Sequence, residues 1–454
     1  MNQGNATAGA PIVIVGGGVA GLVCARRLNR AGVPVLLLEA EAEVGGRVRS
    51  TVRDGLVLDH GFQVLFTAYP VLGAELALPA LGLAPCAPAA WVVRGGRARL
   101  VGDALRAPGL LWRVLRDGGL SWPDLLRMLR LRLLAASLTV DACFAPRFAR
   151  HTTAEFLRWR GFSHAAIAGF FAPFYGGILL DPTLGASASV LLFTLKMLAA
   201  GDTALPAAGM GALARQLADG LPPEAIRCGM RVARVVVEQG RAAGVVLEDG
   251  TRVAARGVVL ATDPWSAVPL AATGGVTLPA PPPPVGCTTV YFTAPAPPLP
   301  GKALWLNAAP GAVVSHALTV TEVAPSYAPA GTSLLAATAV GTAATLDEAA
   351  LVAAAQREVA AMAQAAGVAP VPLTHAGTWR VPRAQFAQPP GWREQRPGLA
   401  GGISGGNDAF EGLSGVWLAS ELTHSSSLDG AARGGLAAAT AILASGTMPA
   451  ASPA

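Results

Sequence analysis

Three observations predict an α/β protein into which a second, mixed domain is threaded. A short apolar strand, a glycine turn, a helix and a second apolar strand ending in an acid follow one another within Pro11 to Glu39. A three-strand meander with a further buried strand fills 230–260, and a strand followed by a helix closes the chain over 415–443. The stretches between them are helical or mixed in pattern, so the α/β unit reads as interrupted twice.

The first unit is the most explicit. Pro11 to Val15 is apolar and β-branched, the following helix stops at Gly32, and Val33 to Leu38 is the second strand. Gly16, Gly18 and Gly21 fit G-x-G-x-x-G, with Ala20 inside the pattern. The first glycine permits the tight turn, the second lets backbone approach a pyrophosphate, and the third lets helix and strand pack closely. The helix N-terminus then offers N–H groups and partial positive charge to that phosphate. Glu39, followed by Ala40, ends the second strand where a carboxylate accepts from a ribose diol and repels a 2′-phosphate. The unit is a Rossmann-type dinucleotide site.

Bulk properties bound the rest. A chain of 454 residues with 52% hydrophobic content can build two domains with a large core. The formal net charge is +6, yet no basic run is interleaved with aromatics, so a nucleic-acid partner is excluded. Five scattered cysteines lack metal-ligand spacing; they read as thiols of a reducing compartment, and no metal site is expected. MNQGNATAGA has neither the charged nor the apolar region of a signal peptide, which implies a cytoplasmic protein, soluble or membrane-associated.

Gly45, Gly46 and Arg47 follow the second strand within a few residues. Two glycines let backbone approach a diphosphate, and a guanidinium can pair with it bidentately. On these residues the chain resembles the FAD-dependent amine oxidase, phytoene desaturase and protoporphyrinogen oxidase superfamily. The resemblance continues in Asp59, His60, Gly61, Phe62 and Gln63, which match in outline a family segment that runs past the flavin. It continues again in Pro206, Gly209 and Met210, which match P-x-G-G-M with Ala208 in place of one glycine. It implies an adenine contact from Val232, a turn at Ala261 to Pro264 that includes Thr262, and an acid at Glu421 on the ribityl or pyrophosphate region. The last helix, read as capped by Asp429, would present the N–H groups of Gly430, Ala431 and Ala432 to the flavin. The cofactor implied is non-covalent FAD. The fold implied is a glutathione-reductase-like FAD-binding domain with an interleaved α+β substrate domain. Its boundaries are FAD-binding parts at 10–66, 205–265 and 396–446, substrate parts at 67–204 and 266–395, and a disordered tail at 447–454.

The interrupting stretches speak to the substrate. Leu105 to Val140 gives two helical stretches broken around Gly118, Gly119 and Pro123, which suit either a membrane-surface helix or a core helix whose arginines snorkel. Gly161 to Leu195 has Asp181 as its only charge and is cut by prolines and glycines, so it reads as the wall of an apolar pocket. Pro279 to Pro300 reads as proline-rich loops and edges. No cysteine lies after Cys287 to carry a flavin link, and serines and a leucine at 425–428 stand where amine oxidases place a cage tyrosine. Lys196 and Lys302 match no family lysine context.

The catalytic residue stays unknown, with His60, Gln63 and Trp379 as weak candidates; His60 equally suits a hydrogen bond in a turn. The reading is a FAD-dependent oxidoreductase that desaturates, dehydrogenates or isomerises an isoprenoid- or carotenoid-like lipophile, with hydride passing to flavin N5. Amine or protoporphyrinogen-type oxidation with oxygen, and a non-catalytic FAD-bound carrier, are the alternatives. Partners are a lipophilic small molecule and, on the membrane-surface reading, a bilayer; oligomeric state is not legible.

Overall fold

The computed structural model describes residues 9–103, 105–106, 109, 120–394 and 414–445. A five-stranded parallel sheet takes its strands from three separate stretches of chain, in the spatial order Ile226–Arg227, Val35–Leu38, Ile12–Val15, Gly257–Leu260, Val416–Leu418. Ile12 lies opposite both Val35 and Gly257, and Val258 opposite Val416. Apart from the edge strand Ile226–Arg227, these strands are continuous apolar runs because both faces are covered. Ile12, Ile14, Leu37 and Val259 join the core under the helices. Val13, Val15, Leu36, Leu38, Val258 and Leu260 join a second core under the antiparallel meander Val232–Glu238, Arg241–Leu247, Arg252–Ala254.

Helix Val19–Arg30 leaves the first strand, stops at Ala31 and is followed by Gly32 at φ +76°, as its glycine stop predicts. The C-terminal helix Leu428–Ala444 packs across it. A Cβ on Gly435 would collide with the Ala20 carbonyl oxygen, so the crossing requires glycine there.

A seven-stranded sheet forms the other half, ordered Thr374–Phe386, Pro284–Ala294, Ser333–Val340, His316–Thr319, Leu304–Asn307, Ala89–Arg94, Arg97–Gly102. Its pairs are antiparallel except Leu304–Asn307 with Ala89–Arg94. Helix Glu348–Ala365, capped by Asp347, covers one face through Leu351, Ala355, Val359 and Met362. The sheet corrects one expectation, because Pro284–Ala294 is an eleven-residue strand inside it rather than loops and edges. The prolines stand at and before its start and after its end, while VGCTTVYFT between them is β-branched and aromatic.

Apolar helices lie beside the cavity between the two sheets. Ala172–Leu179 continues a π-helical turn, Ile167–Phe171, and Ala188–Ala200 is buried along most of its length. Trp122–Ser137 is capped by Ser121 and anchored by Leu131, Ala135 and the buried Asp124, which bonds Ser163 and Arg127. Its outer face leaves Trp122 71%, Leu126 50% and Leu133 54% exposed, so it is a surface helix with an apolar outer stripe. The preceding helical reading falls mostly on residues 110–119, which lie outside the described residues, as does the 447–454 tail. Among the described residues no helix is long and apolar enough to cross a membrane.

Candidate functional site

One cavity of about 1820 Å³ runs from the parallel sheet to the apolar helices. At its first end the glycine turn leaves the strand at Gly16, whose φ of +111° needs a residue without Cβ. Gly16, Gly18 and Ala20 line the cavity; Gly21 does not, because its place is against Gly16, whose carbonyl oxygen a Cβ there would strike. A Cβ on Gly18 would meet nothing within 4 Å and would stand in the open cavity. Gly45 and Gly46 line the next stretch at φ +125° and +57°.

Glu39 and Ala40 line the same end. The Gly17 N–H donates to Glu39 Oε2 at 2.6 Å and the Glu41 N–H to Oε1 at 2.9 Å, which fixes the carboxylate and leaves lone pairs on both oxygens. Arg47 donates to the Ala384 carbonyl at 2.9 Å and to Glu421 Oε1 at 2.6 Å. Two residues singled out separately in the sequence, 374 positions apart, therefore meet at the cavity wall. Val232 and Thr262 line it from the meander and from the turn after strand Gly257–Leu260.

The far side of the last strand departs from expectation in its helix cap and in its N–H donors. The strand ends at Leu418, and Glu421 opens a 3-10 turn, where it lines the cavity. The last helix begins at Leu428 and is capped by Ser427, whose hydroxyl accepts from the Gly430 N–H. Asp429 is thus inside the helix, fully buried and away from the cavity. Its Oδ1 accepts from the Val71 and Leu72 N–H groups at 2.8 and 3.0 Å, where it caps helix Pro70–Glu75, and its Oδ2 accepts from Arg433. Of the three N–H donors expected, Ala431 lines the cavity, whereas Gly430 and Ala432 do not. Ser425, Ser426, Ser427 and Leu428 line it instead. The serine two residues before the aspartate was the available signal, since in S-L-D-G both residues are good caps.

His60, Gly61, Phe62 and Gln63 line the middle of the cavity. The His60 ring shares a hydrogen bond of 2.8 Å with the Thr51 hydroxyl. Burial first, and then Arg49, lower its pKa, so it stands neutral. Gln63 donates to the Arg47 carbonyl, and Phe62 packs against His316 at 5.3 Å between ring centroids. Trp379 does not line the cavity; it stands behind His60, with ring centroids 5.6 Å apart, on strand Thr374–Phe386. The candidates thus divide into two wall residues already engaged in side-chain hydrogen bonds and one packing residue.

The second end is apolar. Phe170, Phe174, Ile178, Val190, Phe193 and Leu198 line it, and Phe170 stacks on Phe174 at 5.6 Å. Neither lysine lines it; Lys196 donates outward to the Ala136 carbonyl. His316 and Cys287 also line it and escaped sequence reasoning, because nothing local marks either one. Burial pushes the Cys287 thiol up to about 11, which leaves it unreactive.

The donor set suits a flavin dinucleotide. Side-chain-free backbone at Gly18 and Gly46 gives room for phosphate oxygens, Glu39 suits a ribose diol, and Arg47 suits a diphosphate once it is drawn from Glu421. When bound, such a group accepts a hydride from a substrate C–H bond. The chain's own share is to hold it, to position the substrate and to exclude water.

Comparison with known proteins agrees. The family model for flavin containing amine oxidoreductase matches residues 19–443, and the chain belongs to that family. It is a FAD-dependent oxidoreductase with an α/β FAD-binding fold. Over 75 residues it is 37% identical to protoporphyrinogen oxidase 2, chloroplastic/mitochondrial, of Arabidopsis thaliana. That match spans 16% of this chain and 15% of the relative's length. In structure it is similar to a protein from Exiguobacterium sp. 255-15 provisionally described as a protoporphyrinogen oxidase, with 18% identity and a TM-score of 0.69 over 96% of this chain and 99% of that one. It is similar also to cyclohexylamine oxidase from Brevibacterium oxydans IH-35A, with 19% identity and a TM-score of 0.67 over 95% and 98%. Identities this low carry the fold and nothing about substrate.

Proposed function

We propose that the chain dehydrogenates, desaturates or isomerises a lipophilic substrate of isoprenoid or carotenoid type, held in the apolar end of the cavity. The supporting observation is the cavity itself. At about 1820 Å³ it exceeds the roughly 300–1,000 Å³ of a single-ligand site. Its volume beyond the glycine-rich end is walled by Phe170, Phe174, Ile178, Phe193 and Leu198. The carboxylate that also lines the cavity near them, Asp103, is already paired with Arg132, so a cationic amine would find no free counter-charge there, and burying an unpaired charge is costly. At the rim, Trp122, Leu126 and Leu129 both line the cavity and face solvent, which supports uptake of substrate from a bilayer surface.

Extraction of the purified yellow protein followed by mass spectrometry should return a lipophile. Under anaerobic conditions candidate isoprenoids should bleach the flavin. Hydrogen peroxide released from polyamines or aromatic amines would overturn this reading. A second reading, protoporphyrinogen-type oxidation, draws on the 37% identity to the Arabidopsis relative; oxygen-dependent conversion of a reduced tetrapyrrole would select it. Flavin that no candidate reduces would point to a carrier.

A further inference from the structure

Several polar side chains on the cavity wall are already engaged. His60 is held by Thr51, Gln63 by the Arg47 carbonyl, and Gln385 by the Ile178 carbonyl. His316 lines the same cavity, is 5% exposed and makes no side-chain hydrogen bond among the described residues; its Nδ1 is closed off against Gly177, so Nε2 is the nitrogen left to meet a ligand. Strand alternation puts His316 and Leu318 on the cavity face, while Ala317 points to the core beneath helix Glu348–Ala365.

The ring is boxed in by apolar groups. Phe62 packs on it, and Gly177 presses so close that a Cβ there would lie 2.9 Å from Nδ1. A buried polar ring without a partner is destabilising, and such a group in a ligand cavity is retained where a ligand completes it. Burial alone lowers its pKa to about 4, so near neutrality the imidazole carries one N–H donor and one acceptor and no charge.

We propose that His316 is the polar anchor of the substrate end, holding the uncharged oxygen function, a hydroxyl or carbonyl, of an otherwise apolar substrate. The proposal rests on the lipophile reading above and narrows it from hydrocarbons to oxygenated lipophiles. A neutral imidazole cannot compensate a carboxylate or an ammonium, so a charged head group gains nothing at this position. A single hydroxyl or carbonyl is the complement that gives Nε2 a partner without bringing charge into the wall.

The test uses the flavin-loaded protein with phytanol and phytane, which differ by one hydroxyl, and reads equilibrium binding through quenching of protein fluorescence. Wild type should bind phytanol about tenfold more tightly than phytane, the worth of one buried hydrogen bond. His316→Leu should abolish that preference and leave phytane affinity and flavin content unchanged, while His316→Gln should keep most of it. An equal preference in His316→Leu, or none in wild type, overturns the anchor while leaving the lipophile reading intact. If wild type binds neither probe, the lipophile reading falls and the anchor falls with it. The wild-type comparison needs no variant, so a misfolded substitution does not protect the proposal.

Discussion

Asp59 shows how one residue ties the cofactor side of the molecule to the seven-stranded sheet. Its carboxylate accepts from the Ser50 hydroxyl at 2.5 Å, the Met210 N–H at 2.8 Å and the Tyr327 hydroxyl at 3.0 Å, and its carbonyl accepts from Tyr291. Burial outweighs these bonds and raises its pKa from 3.8 to about 6. Between those values the folded chain holds a proton that the unfolded chain has lost. The group's contribution is therefore most favourable below about pH 4 and declines as pH rises through about 6, by ~3 kcal/mol in all. In Asp59→Asn this slope should vanish, so stability relative to wild type should climb by about that amount between pH 4 and 7 in urea titrations. Parallel curves would show that Asp59 does not carry the proton. The sequence marked Asp59 only as part of a matching segment; its three donors come from positions 9, 151 and 268 residues away. His316 was not legible for the same reason, since Phe62 and Gly177 reach it from distant parts of the chain. Glu39 was legible because its role lies within one local unit, with Gly17 only 22 residues away.

Among elements, legibility followed local pattern. The first strand, its helix and the meander stand where periodicity and turn glycines put them. Pro284–Ala294 was hidden because its flanking prolines dominated the reading, although proline at a strand start is permitted. A cap at Asp429 places the start of the last helix two positions late, because Ser427 and Asp429 are both good caps and only the fold chooses between them. Its contact with the first helix was invisible in sequence yet fixes the geometry of the glycine-rich end. Gly435 lies against the Ala20 carbonyl, and Ala20 lines the cavity. Gly435→Ala must push the two helices apart, an overpacking cost of ~1–3 kcal/mol. The expected result is a lower thermal midpoint together with reduced flavin per chain, read as the ratio of visible to ultraviolet absorbance. An unchanged midpoint and flavin content would mean that the crossing tolerates a methyl group.

At the scale of the whole molecule, the sequence outlined an apolar wall but could not say where it opens, because the opening is made jointly by elements far apart in the chain. The helix Trp122–Ser137 is anchored through one edge and bare on the other. Trp122, Leu126, Leu129 and Leu133 recur at intervals of four, three and four, which is one helical stripe, and the first three also line the cavity. Exposed Arg130 lies on the same helix, and the chain carries +6 overall. An apolar stripe with a basic background suits an anionic bilayer, where each leucine withdrawn from water contributes about 1.5–3 kcal/mol. Flotation with phosphatidylglycerol vesicles should therefore carry the protein, and the double variant Leu126→Glu, Leu129→Glu should lower vesicle affinity at least ~tenfold. Flavin content should not change, because both side chains lie at the rim and the glycine-rich end is untouched. Equal flotation of variant and wild type would remove the bilayer from the account. The cavity would then have to take its substrate from solution or from a carrier protein.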